Sequence, residues 1–388
     1  MDHFSQIEFR CNSMTSIVYI ISDIDKAIAF EWIAESLPSS KYTVSFILLN
    51  PADSDLERYL VNSGQRVTRV ICATKTDWLR AFWQVKRILD KWKPDIIHCH
   101  LLTASLIGLT AARLSGVKNR IYTRHHSSQH HVYHRRGIWL DKYCNYMSTR
   151  IVAISKVVKE ILINWEHVPE KKILLIPHGF RLRYFNRFNV SKVLDFRKRK
   201  EILNSRPVIG VISRFIELKG VQYIIPAFRR FNQRYPESVL LLLNAKGDYE
   251  SHLQKELFQL PVNTYRCIEF EADMGAVYPA MDIFVHVPVD NHSEAFGQIY
   301  IEALAAGVPS IFTLSGIAPD FIIDGENALV VPFRDSNAIF DAMIQIWEND
   351  DLKSHLSKNG LKSVEAKFDL SLMINALDRL YQQCLVAN

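Results

Sequence analysis

Short apolar segments rich in β-branched residues alternate with amphipathic segments along almost the whole chain. Residues 16–22 form one such apolar segment, and residues 26–37 then show the 3.6-residue spacing of a helix with one buried face. The same order recurs at the strand-like residues 95–100, which precede the helical residues 103–114. An uninterrupted apolar strand must be covered on both faces, and helices that connect parallel strands supply that cover. The alternation therefore predicts a parallel sheet with helices on both sides.

This alternation is interrupted once, near the middle of the chain. From residue 180 to residue 206 the periodicity is lost and charged residues become dense, and the alternation restarts after Pro207. A chain of 388 residues is long enough for two domains of ordinary size. We therefore predict two doubly wound α/β domains, whose ligands bind at the carboxyl ends of the strands. The predicted limits are residues 1–185, a basic connection at 186–206, residues 207–369, and a helix of about residues 370–388 that is a candidate to pack back on the first domain.

The charge of the chain is distributed unevenly. Residues 1–200 contain 32 Lys and Arg against 17 Asp and Glu, whereas residues 201–388 contain 15 against 24. A basic half attracts phosphate-rich partners such as nucleic acid, an anionic membrane surface or a charged substrate, and an acidic half is repelled by them. Ordinary variation in surface charge is the alternative explanation.

The spacing of the cysteines and the lengths of the apolar runs indicate the cellular compartment of the protein. The six cysteines are too far apart for a disulfide framework and form no C-x-x-C metal pair, which fits a reducing compartment. Asp2, Glu8 and Arg10 interrupt the N-terminal apolar residues, which argues against a signal peptide. No uncharged apolar run approaches the roughly 18 residues that span a bilayer. We therefore expect a cytoplasmic location, with any membrane contact peripheral and at the cytoplasmic face.

The segment with the most chemical information is residues 293–310, SEAFGQIYIEALAAGVPS. Polar residues there follow a strand and open a helix that we expect over residues 295–306. The amides at such a helix start bind phosphate well, and Gly297 permits close approach. Glu294 and Glu302 would then stand near the phosphate, where they can accept hydrogen bonds from sugar hydroxyls. A capped amphipathic helix with one solvated glutamate is the alternative.

This segment resembles the Glu-x7-Glu motif of the retaining glycosyltransferases of family 4. The spacing of Glu294 and Glu302 matches, as do the Phe-Gly after the first glutamate and the Glu-Ala-Leu-Ala-x-Gly-x-Pro that begins at the second. Upstream, residues 210–214 and the later Lys219-Gly220 are similar to the family's Gly-x-x-x-Arg…Lys-Gly signature. Further family landmarks occur in the right order at residues 95–100, 154–156, 176–180 and 324–327, so the similarity extends over roughly residues 90–350.

The resemblance implies two Rossmann-like domains facing a central cleft, the glycosyltransferase B fold. It also implies a hexosyltransferase that moves a sugar from a nucleotide-diphosphate sugar to a glycan or lipid-linked acceptor, with retention at the anomeric carbon. A UDP-sugar is the first candidate donor, and cell-surface polysaccharide or glycolipid synthesis is the expected setting. We expect no cofactor and no metal requirement.

The resemblance also assigns roles on the donor side. Arg214 and Lys219 would stabilise the diphosphate leaving group, a type of electrostatic contribution that usually dominates such catalysis. Glu294 would contact the donor sugar as a further catalytic residue, and Glu302 would hold the ribose. The remaining donor-binding positions would bind phosphate through their backbone: Phe296, Gly297 and Gln298.

A histidine-rich loop follows the strand at residues 120–123. By the resemblance, His125 is the best match to a catalytic histidine near the reacting centre, and a structural role at the strand end is the alternative. His126, Arg135 and Arg136 are candidates for contacts with an anionic acceptor. The five histidines of residues 125–136 leave two other interpretations open, a zinc site and a solvated loop.

Three short segments depart from the family pattern or suggest other chemistry. Residues 22–26 contain no glycine where the family has a Gly-rich loop, and the two aspartates there, Asp23 and Asp25, would repel a diphosphate unless they cap the following helix. After the second strand of the second domain, only Gly247 remains of a Gly-x-Gly-like turn. Residues 53–55, Asp-Ser-Asp, favour a solvent loop over a metal-binding Asp-x-Asp.

Two other functions stay open. A nucleotide-sugar 2-epimerase of the same fold is one, for which Asp23 and Asp95 are candidate acid/base carboxylates. A non-enzymatic basic binding protein is the other, although without interleaved basic and aromatic stripes we do not expect nucleic acid as a partner. The sequence gives no indication of oligomeric state.

Overall fold

The computed structural model describes residues 14–386, so the N-terminal segment on which the signal-peptide prediction rests lies outside the described residues. Two parallel sheets organise this part of the chain, with strand orders β3-β2-β1-β4-β5-β6-β7 and β10-β9-β8-β11-β12-β13. The strands of the first sheet are β1 (Thr15–Ser22), β2 (Tyr42–Asn50), β3 (Arg66–Ile71), β4 (Ile96–His100), β5 (Asn119–Arg124), β6 (Arg150–Ala153) and β7 (Ile173–Leu175). Those of the second are β8 (Val208–Ile212), β9 (Val239–Leu243), β10 (Tyr265–Ile268), β11 (Ile283–His286), β12 (Ser310–Phe312) and β13 (Leu329–Val330).

Helices connect the strands of both sheets. In the first half of the chain they are α1 (Ile28–Ser36), α2 (Asp55–Asn62), α3 (Trp78–Trp92), α4 (Leu102–Leu114), α5 (Gln129–Val132), α6 (Gly137–Met147), α7 (Lys156–Glu160), α8 (Arg183–Asn186) and α9 (Val190–Arg199). In the second half they are α10 (Val221–Arg234), α11 (Glu250–Leu257), α12 (Met274–Val277), α13 (Gln298–Ala305), α14 (Ser336–Glu348), α15 (Asp350–Phe368) and α16 (Leu370–Val386).

The central strands are buried on both faces, as their sequences require. Every residue from Ile17 to Ile21 of β1 is fully buried, and β1 pairs in parallel with both β2 and β4. Strand β8 occupies the same position in the second sheet, in parallel with β9 and β11. Side chains on both faces of such strands bury apolar area only because helices cover each face. The prediction of two doubly wound α/β sheets is confirmed.

The Asp-Ser-Asp segment leads from an exposed loop into a helix: Asp53 and Ser54 lie in the predicted loop, and Asp55 is the first residue of α2. The hydroxyl of Ser54 accepts a hydrogen bond from the amide of Glu57 at 3.1 Å, which caps α2. Asp53 forms an ion pair with Arg58 at 2.6 Å. The carboxylates in the first turn of α2, Asp55 and Glu57, also interact favourably with the helix dipole.

The two aspartates of the glycine-free loop after β1 do not cap α1. Helix α1 begins at Ile28, and no side chain caps it. Asp23 instead has φ 54°, a left-handed conformation that Asp tolerates better than most residues. The carboxylate of Asp25 accepts a hydrogen bond from the amide of Asp55 at 3.1 Å. The loop therefore makes its turn without glycine, and the carboxylate of Asp25 bonds at the start of α2 instead of capping α1.

The segment predicted as an irregular basic connection contains helix α9. Asn189 caps its start, Val193 and Phe196 are buried on one face, and basic residues occupy its last turn. Basic residues at a helix C-terminus are stabilised by the dipole, so the charge density that obscured the periodicity is itself compatible with a helix.

The described chain divides into two compact units. One comprises the described residues up to Arg124, together with Trp139–Val152 and those from Ile374 onward, and the other comprises His125–Ile138 and Ala153–Met373. Within the first unit, the hydroxyl of Tyr381 on α16 lies 2.8 Å from Nδ1 of the buried His98 on β4. The domain limits drawn from the sequence stay a prediction. No helix among residues 14–386 combines the length and apolar character that a membrane span needs.

Candidate active site

The segment between β11 and α13 places the first glutamate of the motif on a loop. Helix α13 begins at Gln298, three residues later than expected, because Gly297 has φ 83° and cannot belong to a right-handed helix. Gln298 is exposed, whereas Phe296 is buried. The first-turn amides of a helix have no partners within the helix, so they are available to an anion at this point.

Glu294 is buried and is held by a cluster of polar groups. Its carboxylate forms an ion pair with the ammonium of Lys219, and the same oxygen lies 3.1 Å from Nε2 of His286. Its backbone amide donates to the hydroxyl of Ser315 at 3.1 Å. Burial by itself would raise the pKa of Glu294, but Lys219 and His286 outweigh it and lower that pKa to about 2. The cluster therefore keeps an ionised carboxylate in a buried position.

Lys219 reaches this carboxylate because its backbone turn lies against the chain that follows β11. A short 3-10 turn, Glu217–Lys219, follows β8 and ends at Gly220, which has φ 74°. A Cβ at Gly220 would lie 1.9 Å from the carbonyl oxygen of Val287, so only glycine permits this approach. Arg214, on the same loop, is exposed. An exposed guanidinium and an ion-paired ammonium thus follow the same strand.

The two glutamates of the motif have different partners. The hydroxyl of Tyr278 donates to the carboxylate of Glu302 at 2.7 Å, one helical turn beyond the start of α13. Burial raises the pKa of Glu302, whereas that of Glu294 is lowered. Environments that shift the pKa values of two carboxylates in opposite directions suit those carboxylates to different roles. Whether Glu302 holds a ribose stays a prediction.

His125 is connected to the segment that precedes α13 by stacking on a second histidine. Its ring stacks on that of His178 at 5.5 Å between centroids, and His178 contacts Phe296 edge-on at 4.9 Å. Burial lowers the pKa of His178 to about 4, so its ring is neutral at physiological pH. The first-half landmark at residue 178 and the motif at residue 296 are thereby brought into contact. The catalytic role of His125 stays a prediction.

The histidine-rich loop is attached to the loop that carries Glu294. The hydroxyls of Ser127 and Ser128 both donate to the carbonyl of His292, at 2.7 and 3.2 Å. The rings of His126 and His130 lie 4.5 Å apart, and Arg135 and Arg136 are exposed. These contacts make the loop part of the site's wall, and its basic side chains stay candidates for acceptor contacts.

His286 is the polar residue that the sequence reasoning missed. It ends β11, is almost fully buried, and contacts the ring of Tyr300 edge-on at 4.8 Å. Burial lowers its pKa, so a neutral imidazole donates its Nε2 proton to the carboxylate of Glu294. Its position in the sequence could have identified it as a site residue. His286 is a polar residue at the carboxyl end of a buried parallel strand, and such folds bind ligands at that end of their strands.

We expect His286→Leu to lower kcat roughly tenfold, because the mutant loses the donor that orients Glu294. Without that hydrogen bond the pKa of Glu294 rises, so the acidic limb of the pH–rate profile moves to higher pH. His286→Gln, which retains an N–H donor, is expected to restore part of the rate. An unchanged profile in His286→Leu would show that His286 only fills space.

Comparisons with known proteins agree on one family. The model of Glycosyltransferase Family 4 matches residues 32–184, and that of Glycosyl transferases group 1 matches residues 193–363. The chain is similar to the capsular polysaccharide biosynthesis glycosyltransferase CapM of Staphylococcus aureus, with 27% identity covering 79% of this chain and 81% of that one. It is also similar to the UDP-Gal:alpha-D-GlcNAc-diphosphoundecaprenol alpha-1,3-galactosyltransferase of Escherichia coli, with 23% identity covering 91% and 92%. Among solved structures, Anabaena HepE in complex with UDP and glucose has a TM-score of 0.81 at 17% identity, covering 94% of this chain and 99% of that one.

Proposed function

The chain belongs to the group 1 glycosyl transferases and has their two-Rossmann glycosyltransferase B fold, and on that premise we propose which hexosyl transfer it performs. The proposed donor is a nucleotide-diphosphate sugar, with UDP as the first nucleotide to test. The proposed acceptor is a glycan or a lipid-linked sugar, and the anomeric configuration is retained. Synthesis of a cell-surface polysaccharide or glycolipid at the cytoplasmic face of the membrane is the proposed setting.

The observation that carries this proposal is the ion pair that Lys219 forms with the buried Glu294 beside the start of α13. When the bond between the anomeric carbon and the diphosphate oxygen breaks, negative charge grows on the diphosphate. Lys219 and the exposed Arg214 provide cationic groups for that charge, and the amides of α13 add hydrogen-bond donors. Glu294, ionised and oriented by His286, is an acceptor for the sugar hydroxyls.

Support for the acceptor class comes from the relatives' names. The Escherichia coli relative transfers galactose from UDP to a sugar on diphosphoundecaprenol, and the Staphylococcus aureus relative acts in capsular polysaccharide biosynthesis. The first name includes a lipid-linked acceptor, and the second a polysaccharide product. The basic first half of the present chain fits an anionic acceptor or membrane surface of that kind.

The test of this function is UDP release from a set of UDP-hexoses, with the released sugar or glycoside examined by proton NMR. Retention predicts that an α-linked donor gives an α-linked product. An inverted product would contradict the mechanism, and release of a free 2-epimerised sugar would identify an epimerase instead.

Because protein cations are proposed to neutralise the diphosphate, we expect the rate to persist in excess EDTA. The matched control is the same assay with added Mg²⁺, which is expected to change the rate less than twofold. A rate that is lost in EDTA and restored by Mg²⁺ would show that a metal ion performs the role assigned to Arg214 and Lys219.

A further inference from the structure

One face of helix α6 exposes a row of aromatic and basic side chains. Trp139 and Tyr146 are 74% and 69% exposed, and Lys142 and Tyr143 lie exposed between them. Residues spaced by three, four and seven positions share one side of a helix, so these four form a single stripe. The ammonium of Lys142 lies 5.7 Å from the centre of the Trp139 ring. A contiguous exposed patch of large aromatic side chains is typical of a surface that contacts another surface.

Helix α4 extends this stripe sideways within the same unit. The hydroxyls of Thr110 and Tyr143 are 2.8 Å apart, and the guanidinium of Arg113 lies over the ring of Tyr146 at 5.2 Å. Leu114, at the end of α4, is 61% exposed. Two adjacent helices thus expose the same mixture of apolar and cationic groups.

Helix α3 completes the surface on the other side of α4. It packs against α4, where the hydroxyl of Ser115 donates to the carbonyl of Lys86 at 3.5 Å. Its exposed residues Leu79, Trp83 and Arg87 repeat at four-residue intervals and so share one side. Helices α3, α4 and α6 all connect strands that progress in one direction across the first sheet, which places them on the same face of that sheet.

The charged groups on this face are predominantly cationic. Arg80, Arg87, Arg113 and Lys142 are exposed, whereas Asp90 is paired with Lys86 at 2.7 Å and Asp141 of α6 is buried. We define the aromatic–basic surface as the exposed residues Trp83, Arg87, Arg113, Trp139, Lys142 and Tyr146.

We propose that the aromatic–basic surface docks on the headgroup region of an anionic lipid bilayer. This proposal rests on the membrane contact included in the proposed function and names the surface that makes it. Indole and phenol rings partition into the interface between headgroups and acyl chains, and Lys and Arg next to them attract anionic headgroups. A second copy of the chain is a poorer occupant, because a symmetric contact would place the same cations opposite one another.

The experiment is co-sedimentation of the full chain with vesicles of phosphatidylcholine alone and with about 30% phosphatidylglycerol. We expect binding to the anionic vesicles only, and we expect it to weaken as salt is raised, because the cations are screened. Trp139→Ser/Tyr146→Ser is expected to lower the partition coefficient at least tenfold. Arg113→Glu/Lys142→Glu is expected to lower it as strongly at low salt.

The matched control is Phe258→Ser/Phe270→Ser, which removes two aromatic side chains that are 76% and 75% exposed in the second unit. We expect this variant to bind vesicles like the wild type. Equal binding by the control and the Trp139/Tyr146 variant, or equal binding to neutral vesicles, would overturn the proposal. So would a dimer in sedimentation equilibrium that the Trp139/Tyr146 variant abolishes, because the surface would then be an interface between copies.

Release of UDP from a soluble donor separates this proposal from the proposed function. The surface variants are expected to hydrolyse a UDP-sugar at the wild-type rate, because none of the changed residues belongs to the donor site. Vesicle binding without any UDP release would leave the docking surface intact and contradict the transferase function. UDP release without vesicle binding would support the transferase function and overturn the docking proposal.

Discussion

Lys219→Ala is expected to lower kcat for sugar transfer by about 10²–10³-fold, the loss typical of removing one preorganised group that stabilises developing charge. The ammonium is partly buried and lies against the buried carboxylate of Glu294, so its removal leaves that carboxylate without its ion-pair partner. Its removal also takes away the main charge that lowers the pKa of Glu294. The acidic limb of the pH–rate profile therefore moves to higher pH, in addition to the fall in rate.

The matched control for this change is Lys246→Ala. Lys246 also forms an ion pair with a glutamate, Glu269, at 3.0 Å, but both side chains are exposed. Exposed pairs contribute little, so we expect wild-type kcat and stability within about 1 kcal/mol. Arg214→Ala is expected to reduce the rate as well, though less than Lys219→Ala, because water can take the place of an exposed guanidinium. Unchanged turnover in both Lys219→Ala and Arg214→Ala would rule out the assigned donor site.

Gly297→Ala is expected to abolish measurable donor binding while leaving a folded protein. Alanine at φ 83° costs about 1–2 kcal/mol in backbone strain. In addition, the new Cβ would lie 2.5 Å from the ring of the fully buried Tyr300, so the ring or the first turn of α13 must move. We expect a further loss of about 1–3 kcal/mol from that overpacking. A displaced first turn no longer directs its amides at the phosphates.

Gly307→Ala separates the backbone strain from the overpacking. Gly307 lies just past the other end of the same helix. Gly307 has φ 71°, but a Cβ there meets no atom within 4 Å. The control should therefore lose only the strain contribution in thermal unfolding and should keep wild-type donor affinity. If both variants bind donor equally well, the close approach at Gly297 is not what the site requires.

The sequence was sufficient for the architecture and for the motif around α13. The alternation of apolar and amphipathic segments depends on burial of both faces of a strand, which is a local property of the sequence. The Glu294 to Glu302 spacing placed both carboxylates near one helix, since residues of a known helix have known positions. The partner of Glu302, Tyr278, comes from 24 residues earlier in the chain, and no local pattern indicates it.

The residues that escaped prediction depend on long-range contacts or on unusual backbone conformations. His286 was hidden inside an apolar strand, and its role became visible only when Glu294 was placed 3.1 Å away. The turn at Asp23 uses a positive φ that sequence patterns assign to glycine. Helix α9 was obscured because its charges dominate the composition of the segment, although Val193 and Phe196 form a buried face.

The central claim is that Arg214, Lys219 and the start of α13 bind the diphosphate of a nucleotide sugar. The direct test is calorimetric titration of the protein with UDP and with uridine, repeated for Lys219→Ala and Arg214→Ala, with Lys246→Ala as the control. We predict that the wild type and Lys246→Ala bind UDP at least a hundredfold more tightly than uridine, and that this preference falls at least tenfold in the other two variants. Equal affinity of the wild type for UDP and uridine, or an undiminished preference in both site variants, would contradict the claim.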